Sequence, residues 1–210
     1  MSGIDLLIDE HKYVKRMLVV IRKACLNFMD NKEINYDDFE KMIKFVREFA
    51  DGHHHKKEEV FLFNQMVEHL GETGKNVITH GMLVEHDLGR SYMRNLEEAL
   101  NKYKNGQMEA KLDIVANAVS YTNLLENHIH KEDNVIFTFA KKSLKENIIK
   151  FNLNPDDFDI ISYLKNKVSK YNGSIFDLDI DLVKYEDINN RIKRGFDILL
   201  RQEEKSFNND

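Results

Sequence analysis

An all-α chain is what this sequence predicts. Its 210 residues contain one proline, Pro155, and nine glycines, so long windows run without a helix breaker. Leu, Met, Glu and Lys fill those windows, and apolar residues recur at three- and four-residue steps instead of alternating as strand residues do. The apolar stripes are interrupted by histidines and glutamates at corresponding places.

The first helix is expected over residues 4–29, with Leu7, Val14, Leu18, Ile21, Cys25 and Phe28 on one face and His11 on the same stripe. Asn35 is an N-cap for the second helix, whose stripe runs Phe39, Ile43, Val46, Ala50, His54, Glu58, Phe61 and Gln65. Gly71, Gly74 and their polar neighbours break the chain before the third helix, where His86 joins Met82, Gly89, Met93, Leu96, Leu100 and Tyr103. After Asn105 and Gly106, the fourth helix places His128 and Glu132 in one row with Ile114, Ala118, Tyr121, Leu125, Val135 and Phe139.

Short loops make four such helices run up, down, up, down. Eighteen residues separate His11 from the end of its helix, and eighteen separate the start of the second helix from His54. The second hairpin repeats the pattern, with eighteen from His86 to the end of its helix and twenty from the start of the fourth helix to His128. At about 1.5 Å per residue each offset is roughly 27–30 Å, so the four imidazoles are expected at one level of the bundle. Each descending helix adds a carboxylate one turn beyond its histidine, Glu58 and Glu132. Two acids buried in a core must be neutralised, and a donor set of imidazole and carboxylate without thiolate suits iron or manganese.

The segments "EHKYVKRML", "HHKKEEVFLF", "VEHDLGR" and "NHIHKEDNVIF", in that order over residues 4–145, resemble the hemerythrin-like HHE cation-binding family. The resemblance implies a four-helix bundle with a non-haem centre of two iron ions (Fe2+/Fe3+) joined by an oxo or hydroxo bridge, with manganese as the alternative. Carried over by position, its metal ligands fall on His11, His54, Glu58, His86, His128 and Glu132. Two departures stand out: Met82 occupies the place of a further third-helix histidine in the oxygen carriers, and the proline usual after the fourth motif is missing. Asp133 competes with Glu132 for the role of carboxylate ligand. His53, His69 and His130 are expected at the surface or its border, and His55 with Glu59 on a polar face that supports the site or supplies an alternate ligand. His80 is expected near the start of the third helix, as a cap, a solvent contact or an additional ligand, and Tyr121 as core packing whose hydroxyl is available to a bound oxygen species.

The expected organisation is a bundle over residues 1–147 and a C-terminal helical extension over 148–210, where Phe158, Ile161, Leu164 and Val168 and then Ile188, Ile192, Phe196 and Leu199 form short stripes. That extension is expected to cover the bundle, self-associate or meet a signalling partner. A net charge of -5 offers no basic footprint for nucleic acid. The single cysteine, the lack of a membrane-length apolar run and the acidic start favour a reducing cytoplasm. The leading functional expectation is binding or sensing of dioxygen, nitric oxide or peroxide. The alternatives are an enzyme that turns over peroxide or nitric oxide, an iron donor for cluster repair, and a helical interaction module with no metal.

Overall fold

The computed structural model describes residues 3–30 and 33–145. The described residues form four antiparallel rods and contain no strand. The first rod is α1, Gly3–Met29, and the second begins with α2, Tyr36–Phe45. Asn35 caps α2 as expected, its side chain accepting from the Asp38 N–H at 3.2 Å. The second rod continues through two π-helical segments, π1 (Val46–His55) and π2 (Glu58–Phe63), into α3, Asn64–His69.

Gly71 turns the chain with φ of 60°, a conformation that glycine adopts without steric cost. Gly74, expected as a second breaker, instead lies within α4, Gly71–Val77. A Cβ there would stand 2.4 Å from the Met66 carbonyl oxygen, so only glycine lets this corner close. The third rod runs from α4 through π3, Ile78–Met82, into α5, Leu83–Lys104. The fourth comprises α6 (Ala110–Lys131), π4 (Glu132–Ile136) and α7 (Phe137–Ser143). The extension expected over 148–210 lies outside the described residues.

Two apolar clusters fill the bundle. The larger, around Ile21, Phe28, Phe39, Phe45, Leu96 and Ile114, occupies the end where α1 finishes and α2 begins. The smaller, around Ile4, Leu7, Leu62, Phe63, Met66 and Phe137, occupies the opposite end. His11, His54, His86 and His128 lie between the two clusters along every rod, so the polar layer is sealed by apolar side chains above and below.

The π-helical segments move the stripes by one residue. A π-turn closes i→i+5, so the chain beyond it presents a different residue inward than a continuous α-helix would. Hence Leu62, Phe63 and Met66 enter the core, while Phe61 and Gln65 are only half-buried. On the fourth rod Ile136 is buried, whereas Val135, expected inward, is 59% exposed.

Candidate metal centre

The six side chains singled out by the sequence, His11, His54, Glu58, His86, His128 and Glu132, are all buried and come together. Two groups of potential donors form: His11, His54, Glu58 and Glu132 in one, and His55, Glu58, His86 and His128 in the other. Within each group the donor atoms all lie within 4.8 Å of one another. Glu58 belongs to both. Its Oε1 lies 3.3 Å from His54 Nε2 and 4.0 Å from His11 Nε2, and its Oε2 lies 3.6 Å from His86 Nε2. Glu132 spans likewise, with Oε2 3.3 Å from His11 Nε2 and Oε1 3.1 Å from His128 Nε2.

Hydrogen-bond accounting leaves this cluster unfinished. Both oxygens of Glu58, both of Glu132 and the Nε2 atoms of His11 and His54 are buried without a hydrogen-bond partner. Such groups are costly to bury, and so many converging on one space calls for a cation. The His86 and His128 Nε2 atoms face each other at 3.1 Å, an approach that two lone pairs tolerate only with a proton or a metal ion between them. Without metal, burial opposes a charge on His128, but Glu132 and then Glu85 overcome it and raise its pKa to about 10. Burial, then His55 and His128, hold His86 well below the ordinary histidine value. At His54, Glu58 and Glu10 likewise outweigh burial and raise the pKa to about 9. A hard nitrogen and oxygen set without thiolate fits iron or manganese.

The other nitrogen of each imidazole is held by a carboxylate from the preceding rod. Glu10 of the first rod takes His54 Nδ1 at 3.0 Å, and Glu59 of the second takes His86 Nδ1 at 2.7 Å. Glu85 of the third takes His128 Nδ1 at 2.9 Å, and Asp133 of the fourth returns to His11 Nδ1 at 2.7 Å. The ring of supports closes on itself. Each supporting carboxylate is in turn met by a cation: Glu10 by Lys57, Glu59 by Arg90 at 2.7 Å, Glu85 by Lys131 and Asp133 by Lys15 at 2.8 Å. Such contacts fix the tautomer and the direction of an imidazole that faces a metal.

The supporting role of Glu10 and Glu85 was not drawn from the sequence, although a signal was present. In each rod the supporting acid directly adjoins a central residue: Glu10 before His11, Glu59 after Glu58, Glu85 before His86 and Asp133 after Glu132. Asp133 therefore supports His11 while Glu132 faces the centre, so the two acids do not compete for one role.

The structure corrects two surface expectations. His53 is buried, with Nε2 3.0 Å from Glu10 Oε1, and His55 is buried and stacked on His86 with ring centroids 3.9 Å apart. His55 lies on π1, where the wider turn gathers neighbouring residues that an α-helix would splay outward. His69, His80 and His130 are exposed, as the sequence implied for His69 and His130. Met82 packs in the smaller apolar cluster, and His55 supplies the additional imidazole beside His86 and His128.

A buried cation site of mixed imidazoles and carboxylates inside a four-helix bundle is the class that this fold and geometry define. The chain belongs to the hemerythrin family: the Hemerythrin HHE cation binding domain matches residues 2–140. Comparison with the curated proteins and with the solved structures returns no match. No helix among the described residues is long and apolar enough to cross a membrane.

Proposed function

We propose that the protein binds a pair of iron ions and uses them to bind or sense dioxygen, nitric oxide or peroxide in a redox response. The observation that carries this reading is Glu58, whose two oxygens face two separate clusters of imidazoles while neither finds a hydrogen bond. His11, His54 and Glu132 would hold one ion and His55, His86 and His128 the other, with Glu58 shared and Glu132 reaching both sides. Manganese suits the same donors. When bound, an iron pair supplies two centres that change oxidation state and accept a small exogenous ligand.

The protein's own residues prepare that site. Glu10, Glu59, Glu85 and Asp133 hold the Nδ1 side of four imidazoles and so turn Nε2 inward. Phe137 stacks on His11 at 5.6 Å between ring centroids, and the apolar clusters at both ends keep bulk water from the carboxylates.

Metal analysis and an optical spectrum of full-length protein purified without a metal-affinity column test the reading. A pair of irons per chain with a charge-transfer band is expected, and a protein that takes up neither iron nor manganese would sink it. Rapid mixing of the reduced protein with dioxygen, nitric oxide and peroxide then separates the roles. A lasting adduct marks a binder or sensor, whereas consumption of many equivalents marks an enzyme.

A further inference from the structure

A cavity of ≈ 360 Å³ opens beside the candidate metal centre, between π1, α5 and α6. His55 and His86 line it on the side of the centre, and Val46 and Met93 give it apolar wall. Dedicated small-molecule sites start at about 300 Å³, and an apolar cavity of about 150 Å³ already admits benzene, so this space is far larger than a diatomic ligand needs.

Arginines and a tyrosine predominate among the polar groups of the cavity. Asp51, the carboxylate among the lining residues, is already taken by Arg90, whose Nε and Nη2 lie 2.9 and 2.7 Å from Asp51 Oδ1. Arg47 is likewise taken, by both oxygens of Glu97 at 2.9 and 2.7 Å. His55 Nδ1 is buried without a hydrogen-bond partner, 3.5 Å from Asp51 Oδ1, and among the described residues two further lining groups stand uncommitted. The Tyr121 hydroxyl is buried without a hydrogen-bond partner, and burial, then the Asp51 charge, keep it in the neutral, proton-bearing form. Arg94 is an exposed lining residue with no ion pair among the described residues. Both are donors that seek an acceptor.

We propose that this cavity binds a small organic anion, a carboxylate on an apolar body, with the Tyr121 hydroxyl donating to it, Arg94 supplying the opposite charge, and Val46 and Met93 covering the body. The inference rests on the proposed function for the ions beyond His55 and His86, and names a class of molecule that the centre meets. It separates this site from one that serves diatomic gases alone.

Calorimetric titration of the iron-loaded full chain with acetate, butyrate, hexanoate and neutral hexanamide tests it. Affinity should rise from acetate to hexanoate, and hexanamide should bind roughly tenfold more weakly for want of the charge. Tyr121→Phe, which keeps the ring in the core, should weaken hexanoate roughly tenfold, and Met93→Phe should do so by filling the cavity. Both variants should retain the iron of the parent protein. Hexanoate binding no tighter than acetate, or unchanged in both variants, overturns the proposal while iron remains in place. Absence of iron from the parent protein would instead strike the reading beneath it.

Discussion

The larger apolar cluster and the polar layer beside it are built by different rules on the same rods. Where α1 ends and α2 begins, regular α-helical turns place Ile21, Phe28, Phe39 and Ile114 inward at the steps that the sequence shows. At the polar layer and beyond it, three of the four rods change to wider turns, in π1, π2, π3 and π4. The apolar end is optimised for packing, whereas the polar layer gives up helix regularity to bring His53, His54, His55 and Glu58 inward together. Departures from regular helix at a functional site are a recurring pattern.

The sharpest way to break that contrast is Glu58→Ala. Because Glu58 belongs to both donor groups, metal content should fall from a pair of ions towards none, while the exposed His130→Ala should leave it unchanged. Equal metal content in the two variants would remove the special status of the layer. His55→Ala touches one group only, so about half the metal should remain, read by metal analysis beside the parent. If loading stays complete, His55 is not a ligand. Glu85→Gln keeps the shape but not the charge behind His128, and metal affinity measured by competition with a chelator should fall roughly 10- to 100-fold.

At the apolar end Ile114→Ala should cost about 2–5 kcal/mol in denaturant unfolding, with metal content unaltered, because Ile114 is fully buried away from the imidazoles. A loss of metal there would show that the two regions are not separable. The smallest effect is expected for Val135→Lys, within about 0.5 kcal/mol of the parent, since the side chain already meets solvent. A large loss would restore the α-helical register that places Val135 inward.

The four rods, their polarity and the common level of His11, His54, His86 and His128 were legible in the sequence, because all three follow from stripe spacing and rise per residue. The Asn35 cap was legible for the same reason: its chemistry is local. The positions of Val135, Phe61 and His55 were not, since nothing in a stripe announces where hydrogen bonding changes from i→i+4 to i→i+5. The reading of His53 as a border residue failed differently. A histidine next to Lys57 reads as solvated, yet the Glu10 carboxylate, 43 residues distant in sequence, accepts both into the interior. Buried charge is intelligible only once its partner is known.

The closed ring of carboxylate supports has no first member. Each rod serves its successor, and the fourth serves the first, so the arrangement is indifferent to where the polypeptide is cut between rods. The start of α1 and the end of α7 already meet, with Lys141 on α7 2.8 Å from Asp5 on α1. Joining them and opening the loop after Met29 would yield a circular permutant that preserves every link of the ring, whereas deleting any single rod severs two.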